Sequence, residues 1–295
     1  VRDTLDPSHL QRICAALGIS PEKIQDCRRD DTGLNNENWI LSTAQGSWLY
    51  RIPGRGTQLF CSRRNESKVY TILRPFELSD EVIFLDAESG WKLSVYYPDC
   101  HAANPHKAQD VQAAMQLLTR LHQLPIRFPY YDDHAARIQR YFRIAKAHQA
   151  AFDPEFEPLR HEILDRIALM AGAEKWVPSH GDFLPENVLC FPDGHALLLD
   201  WEFAAMGHPL EDIGTICHHA DLSPESSILT AETYFSRELT PAETNRLFLS
   251  CASAAILWYS WAIFKLTVSS NTEIYHRFAQ RSLTFCARYL RLIET

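Results

Sequence analysis

No two of the eight cysteines, at positions 14, 27, 61, 100, 190, 217, 251 and 286, stand close enough to make a CxxC pair or a zinc knuckle. They read as reduced, scattered core thiols rather than a disulfide framework. Cationic excess is missing too: 29 Lys+Arg face 37 Asp+Glu, a formal charge of −8. A nucleic-acid binder draws its affinity from cations that cancel phosphate charge, so that class is not expected. The first residues, Val1-Arg2-Asp3-Thr4-Leu5, carry no apolar signal stretch, and a cytoplasmic location without secretion is the expectation. Internal repeats and low-complexity tracts are absent as well, which excludes solenoids and disordered arrays. One long uncharged apolar run exists, Leu247 to Phe264, barely long enough to cross a bilayer. Serines and a tyrosine interrupt it, and Trp258 and Trp261 lie well inside it rather than at a headgroup boundary. A buried helix is expected there, without membrane insertion.

What is present is a chain of 295 residues with 46% hydrophobic content. That is long for one compact domain, ordinary for two lobes, and enough for a sizeable core. Asp6-Pro7-Ser8 offers a cap and a helix-starting proline for a short helix that stops at Gly18. Asn38–Ser42 and Ser47–Ile52 read as a hairpin, residues 61–74 as a helix, and Val82–Asp86 with Lys92–Tyr96 as a second hairpin. Beyond Pro98 the pattern turns helical, around 108–124, 135–150 and 157–171. It is interrupted by a loop from Ser179 to Asn187 and two strands, Val188–Phe191 and Ala196–Asp200. The predicted class is α+β: a small antiparallel sheet with a helix over residues 1–98, and a larger, mainly helical lobe over 99–295. A loop and hairpin set into a helical lobe mark a site, because catalytic side chains favour loops braced by regular elements.

That island reads Ser179-His180-Gly181-Asp182-Phe183-Leu184-Pro185-Glu186-Asn187, then Leu199-Asp200-Trp201-Glu202. Asp182, Asn187 and Asp200 can fold toward one point as hard oxygen donors, the arrangement that Mg2+ with nucleotide phosphates needs. A carboxylate beside the metal can orient and deprotonate an attacking hydroxyl. The order HxD, Asn five residues on, and another Asp after a short hairpin is the layout of a kinase catalytic loop and metal loop.

These residues resemble the aminoglycoside phosphotransferase superfamily of protein-kinase-like small-molecule kinases. Tyr50-Arg51-Ile52-Pro53-Gly54-Arg55-Gly56-Thr57 with Arg63-Arg64-Asn65-Glu66 is similar to the choline/ethanolamine kinases within it, the bacterial choline kinases especially. The resemblance implies a two-lobed protein-kinase-like fold, with ATP and Mg2+ as cofactors and a small cationic alcohol, choline, as acceptor, in a monomer or homodimer. It makes Asp182 the base, Asn187 and Asp200 the metal ligands, His180 a brace for the loop, and Asp212 a structural acid. Arg51 would grip phosphate with Glu66 as its ion-pair partner. The turn Asp31 to Asn36 would cover the phosphates through Asn35 and Asn36, although it holds one glycine where a GxGxxG loop has three. Adenine would meet the lobe connection near Tyr96. Trp258 and Trp261 share a helix face and, with Phe203, would wall a quaternary ammonium by cation–π attraction, while Glu202 and Asp182 add negative field. Ethanolamine, thiamine or an aminoglycoside are the alternative acceptors. A metal-dependent hydrolase built on His180, Asp182 and Asp200 leaves Asn187, Arg51 and Glu66 without duties, and a pseudokinase-like scaffold is disfavoured by the intact acid positions.

Overall fold

A computed structural model describes residues 5–30, 36–170, 176–270 and 272–294. Helix α1 (Pro7–Leu17) opens where the sequence predicts it. Asp6 caps it by accepting from Ser8 N, and Gly18 closes it in the left-handed conformation at φ 65°. Strands β1 (Ile24–Asp30), β2 (Glu37–Thr43), β3 (Gly46–Ile52), β4 (Val82–Leu85) and β5 (Lys92–Val95) form an antiparallel sheet in the order β1-β2-β3-β5-β4. β1 was not foreseen. Its Gln25-Asp26-Cys27-Arg28-Arg29 stretch buries nothing fully, and it belongs to the sheet as an edge strand through backbone pairing with β2.

Two cores follow. A small one under α1 gathers Ile13, Trp39, Leu41, Tyr50, Trp91 and Leu93. The other face of the sheet carries α2 (Arg63–Leu73), whose Val69 and Leu73 join the main core that continues into the helices. The chain then runs through β6 (His101–Ala102), α3 (Ala108–His122), α4 (His134–Ala147) and α5 (Phe156–Met170). The island follows as β7 (Val177–Ser179), β8 (Val188–Cys190), β9 (Ala196–Leu198) and β10 (Ala205–Gly207). Last come α6 (Pro209–His219), α7 (Pro224–Phe235), α8 (Pro241–Val268) and α9 (Thr272–Leu290).

The membrane-like run belongs to α8, whose most apolar stretch is wholly buried inside the protein. Its start is fixed by a capping box, Thr240 with Glu243. The helix is apolar all round because α4, α5, α6 and α9 surround it. The lobes are pinned together near the island. Leu78 O accepts from Leu198 N at 2.8 Å, and Ala204 O accepts from the Asn65 side chain at 2.9 Å. Arg140 reaches Phe60 O at 2.7 Å.

Candidate active site

The island works as a frame. β8 and β9 pair with Val188 opposite Leu198, and Leu199 N donates to Asn187 O at 2.8 Å, so Asn187 and the residue before Asp200 face each other across the hairpin's open end. Asp200 leaves the strand with φ 61° and ψ 69°. Such a conformation is strained for a residue with a side chain and persists only where the surroundings impose it. Gly181 is required for space: at φ 74°, an added Cβ would sit 2.4 Å from Phe203 O.

Asp212, in the first turn of α6, holds the loop from beneath. It accepts from His180 N at 2.9 Å, Gly181 N at 2.8 Å, Ser179 Oγ at 2.7 Å and His122 Nε2 at 3.1 Å. Burial pushes its carboxyl up, but these donors outweigh burial and hold it below the usual range. His180 is fully buried and its Nε2–H donates to Leu199 O at 2.8 Å, tying the loop to the strand that delivers Asp200. Burial lowers its pKa, so the ring is neutral.

Asp182 is buried, with one carboxylate oxygen 3.3 Å from the Asn187 amide nitrogen, which also donates to Asp182 O at 2.9 Å. Its other oxygen, Oδ1, has no hydrogen-bond partner. Burial first, then the charges of Asp200 and Glu202, push this carboxyl well above the ordinary range. Asp200 behaves oppositely. Burial raises it, but Arg51 foremost, with Lys92 and Arg63 at longer range, holds it net low.

Arg51 on β3 donates to Asp200 Oδ1, to Glu66 Oε2 at 2.8 Å and to Gly90 O at 3.2 Å. Glu66 is completely buried on α2. The arginine fork thus bridges the sheet, the helix and the Asp200 loop, which a lysine's point charge does less well. The nucleotide-facing expectations fare unevenly. Asn35 lies outside the described residues. Asn36 accepts from Gly54 N at 3.4 Å, and Tyr96 follows β5 with its backbone N–H on Ser47 O at 2.9 Å.

On the acceptor side, Trp258 meets Tyr141 at 6.5 Å and Phe203 at 6.2 Å, edge to face, with ring planes near perpendicular. Trp261 touches Trp258 at 5.5 Å but packs backward onto Tyr275 and Phe278. The expected pair therefore divides, with Trp258 against Tyr141 and Phe203 and Trp261 against Tyr275 and Phe278. Glu202 is not a free source of field: its Oε2 accepts from Arg63 at 2.5 Å, and both side chains are buried. Burial, then Asp200, raises the Glu202 carboxyl to about 7.

Sequence reading missed three residues here. Arg63 pairs with Glu202. His122 supports Asp212. Arg137 donates to Gly181 O and to Asp132, both at 2.9 Å, and lies over the Phe203 and Tyr141 rings at 5.2 and 5.7 Å. The Arg63-Arg64-Asn65-Glu66 stretch carried the only signal for any of them; a lone cation on an amphipathic helix reads as solvated surface.

The donor set fits a hard divalent ion. Asn187 spends its nitrogen on Asp182 and keeps its oxygen, and Asp200 retains 24% side-chain exposure, while the buried, orphaned Asp182 Oδ1 is left beside them as a proton acceptor.

Residues 26–248 match the Phosphotransferase enzyme family, APH. Protein LicA of Haemophilus influenzae is 25% identical over 254 residues, covering 79% of this chain and 71% of that one. Among solved structures, choline kinase LicA from Streptococcus pneumoniae superposes with a TM-score of 0.80 at 17% identity, over 95% of this chain and 99% of that one. A choline/ethanolamine kinase family protein from Mesorhizobium loti gives 0.76 at 22%, over 97% and 95%. A frame of two lobes, an HxD loop clamped from α6 and an arginine-bridged acid, matched by a family over most of its length, makes this chain a member of the phosphotransferase enzyme family with the protein-kinase-like fold of the choline/ethanolamine kinases.

Proposed function

We propose that the chain transfers the γ-phosphate of ATP to the hydroxyl of choline, with residues 1–98 binding nucleotide and 99–295 supplying the catalytic loop and acceptor pocket. One observation carries this reading: Asp182 keeps a buried, orphaned Oδ1 while its other oxygen meets Asn187 and its charge acts on Asp200 and Tyr141. The acceptor hydroxyl hydrogen-bonds to Oδ1, which fixes its lone pair toward the γ-phosphorus. As the new O–P bond forms and the bond to ADP breaks, the hydroxyl proton passes to Asp182, whose raised pKa makes it a stronger acceptor than an ordinary carboxylate. Mg2+ held by Asn187 and Asp200 would offset phosphate charge. Arg51, rigidly held by Glu66, places a guanidinium at the same phosphates, and the catalytic contribution is positioning and electrostatics.

Arg137 favours a second reading. A guanidinium already lies over the Tyr141 and Phe203 rings, which disfavours a second cation there and suits a neutral alcohol. An ATP-consumption panel with Mg2+ over choline, ethanolamine and neutral alcohols separates the two. Choline is expected to give the highest kcat/KM, and a neutral alcohol matching it would overturn the choline assignment.

A further inference from the structure

Behind the catalytic loop lies a cluster that phosphoryl transfer does not use. Asp132 precedes α4, His134 stands in the first turn of α4, and Glu211 in the first turn of α6. His134 is only 9% exposed, and neither ring nitrogen has a hydrogen-bond partner. Its Nδ1 lies 3.6 Å from Glu211 Oε2 and 4.0 Å from Asp132 Oδ2. Those separations exceed a hydrogen bond, yet they approach the edge of about 3.3 Å between ligands around a tetrahedral ion bound at about 2.0 Å. Three donor atoms thus surround a point that none of them fills.

We propose that Asp132, His134 and Glu211 form a second divalent-metal site, of the zinc type, distinct from the oxygen-only site at Asn187 and Asp200. An imidazole with two carboxylates selects a transition metal over Mg2+. The two carboxylates are oriented from outside. Arg137 donates at 2.9 Å to Asp132 Oδ2 itself, which keeps a second lone pair, and Arg246 lies 3.5 Å from the other oxygen of Glu211, leaving Oε2 to the centre. The two guanidinium groups do not cancel the local negative charge, because Asp133 and Asp212 stand beside Asp132 and Glu211. Four carboxylates against two guanidinium groups leave a deficit that a dication removes. Burial and Asp132 push the Glu211 carboxyl well up, the penalty a bound cation would relieve.

The ion would join the start of α4 to the start of α6. The next residue along α6 is Asp212, whose carboxylate holds the catalytic loop, and Arg137, one turn along α4, grips Gly181 O. The site is therefore a staple beneath that loop.

A second cluster, His101, Asp110 and Cys190, has comparable spacing. Its Asp110 is already satisfied by Asn104 N, Lys107 and His101, so it serves as the control. Chelator-treated full-length protein is titrated with Zn2+ in excess Mg2+, by competition with a metal-sensitive dye. Wild type and Cys190→Ser are expected to bind one equivalent with a rise in Tm. His134→Gln and Glu211→Gln, checked for native circular dichroism, should bind about 100-fold more weakly. If His134→Gln does not fold, Glu211→Gln alone carries the comparison. Cobalt(II) should give visible d–d absorption in wild type without a thiolate charge-transfer band. Equal zinc binding by wild type and Glu211→Gln, no binding by wild type, or a loss confined to Cys190→Ser would overturn the proposal. Because the readout is metal content and melting, failure here is distinguishable from failure of the choline-kinase reading.

Discussion

The interior around the catalytic loop and the interior around α8 are both buried, but they are built on opposite principles. Around α8 the buried side chains are Leu247, Ala252, Ile256, Leu257 and their like, and the contacts with α6 and α9 are apolar and close. Around the loop the buried groups are Asp182, Glu66, Arg51, Arg63, Glu202 and Asp212. Burying ions costs several kcal/mol each unless partners repay it. Most here are repaid: Arg51 by Glu66 and Asp200, Asp212 by four donors, and Glu202 in part by Arg63. Asp182 is not. An uncompensated acid held in place by a compensated frame is what function requires and stability would remove.

Substitutions can break that contrast. The largest effect is expected from Asp182→Asn, which should lower kcat by about 10³-fold while Tm holds or rises, since the amide removes a buried charge; steady-state ATP consumption and a thermal melt measure both. The wild-type rate should climb with pH through a limb above the usual carboxylate range, because the raised Asp182 must lose its proton before it can accept one, and a kcat/KM profile reports that limb. A melting loss without a rate loss would erase the distinction between the two interiors.

Gly214→Ala should do the reverse. An added Cβ on α6 would lie 2.6 Å from the Ser250 carbonyl carbon on α8. Overpacking of about 1–3 kcal/mol outweighs the gain of about 1 kcal/mol in helix propensity. Denaturant unfolding should show a net loss of up to about 2 kcal/mol, with kcat falling less than for Asp182→Asn.

Trp258 belongs to both interiors, on α8 yet facing Phe203. Trp258→Ala is expected to raise KM for choline about tenfold more than for ethanolamine, the worth of one cation–π wall. Equal losses on the two amines would return this residue to the packing class.

The smallest effect concerns Glu202. Its folded pKa of about 7 stands above its unfolded value, so its protonated form contributes stability that is full at pH below about 4.5 and lost as pH rises through 7. In Glu202→Gln that decline should flatten, as urea midpoints between pH 4.5 and 8 would record.

The same contrast explains what could be read from sequence. The β2–β3 hairpin and the β8–β9 island announce themselves because apolar alternation and turn residues are local signals. Asp182, Asn187 and Asp200 were legible by spacing, since one loop and one hairpin carry them, whereas Asp212, on α6, was legible only through the family resemblance. β1 was not, because an exposed edge strand needs only backbone pairing. Arg137 and His122 were not, because each finds its carbonyl or carboxylate far away in the chain, and no short window records a partner met only after folding.

The glycine contact between α6 and α8 sets a limit on redesign. Trp258 stands eight residues beyond Ser250 on one unbroken helix, about 12 Å along a rigid rod. Sliding or rotating that rod to make room beside Trp258 would carry the Ser250 backbone against α6 and shift the acid that suspends the HxD loop. Acceptor range in this scaffold is therefore open to side-chain exchange on α8, and closed to movement of the helix itself.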